Sequence, residues 1–456
     1  MQNDTLWLTI IGILIIGSIV GLLIAKRISP IVGMILIPSM GALLLGYHIG
    51  DLVSFFNSGL ERVINVVLMF IFAIIFFGIM SDSGLFKPLI KRLIILTRGN
   101  VVVVSIVTAL VGMFAQLDGA GATTFLLSIP ALLPLYKALN MNRYLLLLIL
   151  GLSAALMNMI PWGGPMARTA SVIKADNVNQ LWYGILPVQL IGFVLILVFA
   201  TFLGFREQQR IRKAVQAGEV TNLENLNINR MIAQYEHDQD INFPVRGRAK
   251  QHPSILWMNA ILTITIIAVM LLDIAPPEFA FMIGVALALI INFGDVDEQM
   301  NRLKAHAPNA LMMAAVIIAA GMFLGVLNET SMLKAIAVNF IKIIPDAVGP
   351  YIHIIVGIFG VPLDLLTSTD AYYFALLPVV EQTASQFGIP SVSTAYAMII
   401  GNIVGTFVSP FSPALWLAVG LAEANMGTYI KYAFFWIWGF AIVLLFIAVL
   451  IGVVTI

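Results

Sequence analysis

The 456-residue sequence contains no cysteine, and only 10% of its residues are Asp, Glu, Lys or Arg. Lack of cysteine excludes disulfides, thiolate metal sites and a thiol nucleophile. Soluble domains carry about 25% charged residues, so the scarcity of charge excludes an ordinary water-soluble globule. The formal net charge is +1; with no basic excess, nucleic acid is not an expected partner. What fills the chain instead is apolar: 60% of residues are hydrophobic and the mean hydropathy is +1.00. The apolar runs approach the ~20 residues that a helix needs to span a bilayer core of about 30 Å. The chain therefore reads as an all-α polytopic, multi-pass membrane protein. Its first apolar run, roughly 5–25, ends in "AKRISP" with no small-residue cleavage pattern, and reads as a retained span.

The sequence is also written twice. "GIMSDSGLFK" (78–87) returns as "GVLNETSMLK" (325–334), setting Asp82 against Glu329 and Lys87 against Lys334 at an offset of 247. "QLDGAGATT" (116–124) answers "PLDLLTSTD" (362–370), which aligns Asp118 with Asp364 at an offset of 246. Pro165 and Pro130 find their mates in Pro413 and Pro378 at an offset of 248. The expected organisation is a first repeat over 1–204, a polar linker over 205–252 and a second repeat over 253–456. The linker is too short to bury a core of its own.

Span lengths predict crossings at 5–25, 30–47, 64–80, 144–175 and 181–204, then at 254–272, 276–293, 308–327, 395–425 and 430–454. Five crossings per repeat, an odd number, invert the second repeat relative to the first. Residues 101–137 and 350–386 do not fit as crossings. A helix over 101–115 reaches only about 22 Å at about 1.5 Å per residue, and then a Gly-rich break and a second apolar stretch follow. Each of these segments is expected to form a re-entrant hairpin with its tip near mid-membrane. The excess of Lys and Arg on cytoplasmic loops orients the whole: with the 205–252 loop cytoplasmic and both termini outside, nineteen of the 24 basic residues lie inside.

A few ionisable residues then fall at membrane depth: Asp118, Asp364, Asp370, Arg168 and His353, with Glu278 near a span end. Such charges cost at least about 2.5–3.5 kcal/mol each and face a bundle interior or a wet cavity. Asp118 and Asp364 could serve as helix caps, but Ser or Asn would cap at a lower desolvation cost. His353, on an apolar half-helix, reads as structural. The crossings 144–175 and 395–425 should be broken, because "PWGGP" (161–165) and "SPFSP" (409–413) interrupt them with prolines. Each restarted helix offers unpaired N–H groups to an anion. Two hairpin tips and two breaks thus converge near the midplane. The expected substrate contacts are Thr123, Thr124, Asn158, Gly163, Gly164, Ser368, Thr369, Ser409 and Ser412, with Arg168 able to fork a carboxylate. Gly119 and Gly121 form the first hairpin tip, and Asp118, Asp364 and Asp370 are the expected sites for a coupling ion or proton.

The blocks "SPIVGMILIP", "LDGAGATTF", "MNMIPWGGPMARTAS" and "STDAYYFALLPV" resemble the citrate–metal–proton symporter family, within the wider ion transporter superfamily, along essentially the whole chain. The chain departs from that family's pattern at Ala120, Thr369 and Gly405. The resemblance implies ten crossings with two hairpins, an elevator-type transporter and a homodimer in a bacterial-type plasma membrane. It also implies secondary, proton-coupled uptake of citrate or a related di- or tricarboxylate as a complex with a divalent metal (Mg, Ca, Zn or Fe). The metal would travel with the substrate, with no permanently bound cofactor and no enzymatic reaction. Charge counting agrees, since buried acids beside an anion seat require cations or protons to enter as well. Sodium coupling, a metal-independent dicarboxylate or gluconate-like carrier, and a cation–proton antiporter are the alternatives. An intramembrane hydrolase would also need buried aspartates, but has no use for two inverted hairpins.

Overall fold

The computed structural model describes residues 2–456 except 26, 120, 176, 218–244, 251, 253, 273, 343, 344, 346, 367, 368 and 411. Among the described residues all regular structure is helical. The first half runs α1 (Gln2–Ile24), α2 (Pro30–Leu44), α3 (Ile49–Asp82), α4 (Lys87–Leu96), α5 (Val101–Ala115), α6 (Gly121–Ala138), α7 (Arg143–Met157), α8 (Gly164–Ile173) and α9 (Val178–Gln216). The second begins with α10 (Ser254–Leu271), α11 (Pro277–Asn292), α12 (Val296–Glu329) and α13 (Met332–Ile341). It continues through α14 (Ile352–Ile358), α15 (Gly360–Leu366), a π-helical turn (Ala371–Leu376), α16 (Leu377–Ser385), α17 (Ser391–Asn402), α18 (Pro413–Leu421) and α19 (Met426–Leu450).

Among the described residues, six helical segments are long and apolar enough to cross a membrane: Leu6–Leu23, Ile49–Asp82, Val101–Asp118, Val178–Gln216, Val296–Glu329 and Met426–Leu450. Five shorter apolar segments accompany them, in α2, α7, α10, α11 and α17. Several boundaries differ from the sequence expectation. The helix expected at 64–80 starts at Ile49, where Asp51 accepts from the backbone N–H of His48 at 2.8 Å. The helix expected at 308–327 starts at Val296. In both cases a first half with interspersed polar and charged residues continues the helix beyond its apolar stretch. α9 likewise runs on to Gln216, into the segment read as linker, whose residues 218–244 lie outside those described. The short helices α4 and α13 were not anticipated. Val101–Asp118, read above as a hairpin arm, is also long enough for a crossing; it is packed mainly against α6, α7 and α9.

α3 and α12 cross at glycine. A Cβ on Gly59 would lie 2.0 Å from the carbonyl oxygen of Gly321, and one on Gly325 would lie 2.1 Å from that of Phe55. Small residues let helix backbones approach this closely. Polar contacts fasten the pair at both ends. Glu329 accepts from Ser58 at 2.7 Å and from Arg62 at 3.5 Å. Asp82 meets His306 at 2.9 Å and Arg302 at 3.5 Å. Arg62 and Asp82 are about 30 Å apart along α3, one hydrocarbon thickness.

Candidate functional site

The break between α7 and α8 is fixed by glycine and proline. A Cβ on Gly163 would lie 2.0 Å from the carbonyl oxygen of Asn158, so only glycine fits there. α8 restarts at Gly164 with Pro165 in its first turn, where a missing N–H leaves no unmet bond. Against this break sits the tip of the first hairpin, a short 3-10 turn (Gln116–Asp118) closed by Gly119 at φ 71°. Gln116 Nε2 donates to Asn158 Oδ1 at 2.7 Å, and Thr124 Oγ1 donates to Gln116 Oε1 at 2.5 Å. Trp162 Nε1 donates to the Leu117 carbonyl at 2.8 Å. Asp118 is buried at 7% exposure and Thr123 is half-buried.

The second break follows α17, passes through a 3-10 turn (Gly405–Phe407) and restarts at Pro413. Here Ser409 Oγ donates to the carbonyl of Asp364 at 2.6 Å. A Cβ on Gly405 would lie 3.1 Å from the Asp364 Cβ. Thr369 and Thr406 hydroxyls are 3.4 Å apart, and Asn402 Nδ2 donates to the Gly360 carbonyl at 3.3 Å. The Asp364 carboxylate is fully buried, and neither of its oxygens has a hydrogen-bond partner among the described residues. The side chains of Asn402 and Thr369 flank it, and the Asn402 Oδ1 is also unpartnered there.

Each break touches both hairpins. Phe407, from the second break, packs edge-on against Phe125 with ring centroids 5.4 Å apart. A Cβ on Gly121 would stand 3.1 Å from both the Phe407 ring and the Ala414 Cβ. From the first break, Arg168 Nε reaches Asp370 Oδ1 at 2.8 Å, with the two side chains 12% and 19% exposed. Arg168 also lies 3.9 Å from Met313 Sδ on α12.

Several expected residues therefore meet, in altered company. Arg168 is paired with Asp370, Thr124 is turned toward Gln116, and Ser409 is bonded to backbone. Ser412 is buried at the start of α18. Ser368 and Ala120 lie outside the described residues. His353 is fully buried and bonds to the Thr455 carbonyl at 2.9 Å. Gln116, Asn402, Thr406 and Met313 were not singled out from the sequence. Among the described residues no group of three or more His, Asp and Glu side chains is placed to hold a metal ion. A cavity of about 630 Å³ lies apart from this site, lined by Glu61, Arg62, Asn65, Lys174, Asn177 and Glu278.

Comparison with known proteins bears on this geometry. The citrate transporter family matches residues 20–401. A citrate transporter of Bacillus subtilis (strain 168) is 33% identical over 98% of this chain and 100% of its own length. A Mg(2+)/citrate complex secondary transporter of the same organism is 31% identical, covering 98% and 99%. Among solved structures, the YdaH transporter of Alcanivorax borkumensis shares the fold at a TM-score of 0.58 and 14% identity, with 98% of each chain covered. MtrF of Neisseria gonorrhoeae does so at 0.55 and 15% identity, over 86% of this chain and 81% of that one. These relatives are transporters rather than enzymes, and this multi-pass helical chain belongs to the citrate transporter family.

Proposed function

We propose that the protein is a secondary transporter that takes up citrate, or a related di- or tricarboxylate, as a complex with a divalent metal and coupled to protons. The observation that carries this reading is the fully buried Asp364 carboxylate, whose oxygens have no hydrogen-bond partner among the described residues although Asn402 and Thr369 flank it. A buried charge without partners is very unfavourable, so this group is stable with a proton or a cation beside it and unstable without one. Uptake of a cation at Asp364 offers a direct link between a coupling ion and the anion seat next to it.

Charge balance supports the metal complex. Citrate carries about three negative charges, whereas Arg168 is already neutralised by Asp370. The remaining attraction comes from the N-termini of α8 and α18, each worth about half a charge. A divalent cation removes two charges from the substrate and brings it within reach of those termini. Thr123, Thr369, Ser412 and the backbone at Gly163 and Gly164 would hold the carboxylates. Asn158 would order the site through Gln116. Asp118 would share the coupling role with Asp364, while Asp370 fixes Arg168.

Two inverted five-crossing repeats, a cytoplasmic 205–252 loop, external termini, an elevator movement and a homodimer complete the proposal. The cavity bounded by Arg62, Lys174, Glu61 and Glu278 would then be an outer vestibule with charges of both signs for a metal–carboxylate complex. Sodium coupling is the second reading, favoured by the unpartnered Asn402 Oδ1 beside Asp364, since two oxygen ligands suit a desolvated cation.

The test is uptake of labelled citrate into proteoliposomes, with and without Mg, Ca, Zn or Fe. Accumulation should require one of these metals. Full accumulation in the presence of a chelator would contradict the metal-complex reading, and dependence on a sodium gradient rather than a proton gradient would favour the second.

A further inference from the structure

A cavity of about 400 Å³ lies at the turn between α6 and α7, far from both helix breaks. Lys137, Arg143 and Arg210 line it together with Asn140, Asn142 and Tyr144, and among the described residues no carboxylate does. The cations are held in place from behind. Glu207, 6% exposed, accepts from the Asn142 N–H at 2.6 Å and from Arg210 Nε and Nη2 at 3.0 and 2.7 Å. Arg210 Nη2 also donates to the Asn140 carbonyl. Arg143 Nη1 donates to the carbonyl of Glu423, and Lys137 pairs at 2.9 Å with the Glu423 carboxylate. That neighbouring ammonium holds the Glu423 carboxyl below its usual range. Both partners are more than half exposed, so a stronger anion can displace Glu423 with little loss.

The surroundings say what kind of anion. Arg206 lies over the Trp436 ring, 5.5 Å from its centroid. Phe199 and Phe202 meet the same ring at 5.5 and 6.4 Å, and Tyr144 packs 6.0 Å from Tyr432. Phe202, Phe205 and Phe435 point outward from membrane-spanning helices, at 55%, 54% and 74% exposure. A belt of outward aromatics with arginines at one edge marks the level of lipid headgroups. A basic cavity at that level recognises anionic headgroups.

We propose that this cavity binds the phosphate of an anionic phospholipid, with the acyl chains lying along the exposed faces of α9 and α19. Lys137 and Arg143 supply the exchangeable charge, and Arg210 is the fixed clamp. The bound lipid would fasten the cytoplasmic end of the first hairpin to α9.

Thermal unfolding of the detergent-purified full-length protein tests this, with phosphatidylglycerol, phosphatidylcholine or inorganic phosphate added. A ligand that binds only the folded state raises its stability by mass action. Phosphatidylglycerol should raise the Tm by roughly 2–4 °C. K137Q/R143Q should lose most of that rise, K137R/R143K should retain it, and K304Q, remote from the cavity, should behave as wild type. An equal rise with phosphatidylcholine, or an unchanged rise in K137Q/R143Q, would overturn the site. An equal rise with inorganic phosphate alone would overturn its assignment to a lipid. Native mass spectrometry of retained phosphatidylglycerol supplies a readout independent of stability and should show the same order among the variants.

Discussion

Asp364 and Asp370 stand on the same hairpin in opposite electrostatic circumstances. Asp370 is answered by Arg168 at 2.8 Å, whereas Asp364 has no such answer among the described residues. Their isosteric amides should therefore act in opposite directions. D370N leaves a largely buried guanidinium without its ion-pair partner and should destabilise the protein, by at most about 3–5 kcal/mol. The double variant R168Q/D370N should recover most of that loss. D364N removes a buried carboxylate that has no ion pair among the described residues and should leave the unfolding temperature unchanged or raised. Thermal unfolding in detergent micelles measures all three; equal destabilisation by D364N and D370N would refute the distinction. The acids and Arg168 were legible in the sequence because a charge inside an apolar run is expensive and conspicuous. Gln116 and Asn402 were not, because uncharged amides are common in helices and nothing local marks their partners. The bonds of Thr124 to Gln116 and of Arg168 to Asp370 depend on side-chain packing between segments, which periodicity does not encode.

At the scale of elements, the breaks and crossings depend on glycines that admit no substitute. G163A would drive a methyl group into the Asn158 carbonyl, and G59A would force α3 away from Gly321. Overpacking of this kind costs about 1–3 kcal/mol, and each variant should show a lowered unfolding temperature, with G163A also losing transport. G17A, with open space around its Cβ, should change neither. Wild-type stability in G59A would show that the crossing is looser than described. The breaks were legible because two prolines inside an apolar run have few other uses. The true starts of α3 and α12 were not, because their first turns carry polar residues that a search for apolar runs discards. α4 and α13 escaped for a related reason, being too short to register as spans.

At the scale of the whole molecule, membership in the citrate transporter family joins a chain poor in charge to a site where several charges gather. The repeats at offsets of 246 to 248, and the matching lengths of α3 and α12, 34 residues each, are the basis for the inverted arrangement proposed here. Absence of cysteine provides a clean background for testing it. A single G218C in the linker should react with a membrane-impermeant maleimide in inside-out vesicles only, and Q2C in right-side-out vesicles only; labelling of both from the same side would refute the odd number of crossings. The most direct measurement for the central claim compares wild type, D118N and D364N in proteoliposomes loaded with magnesium citrate. Exchange of labelled for unlabelled substrate should persist in the variants, while accumulation driven by an imposed proton gradient should disappear. Accumulation by D364N at the wild-type rate, with the wild-type dependence on pH, would contradict the assignment of ion coupling to the buried acids.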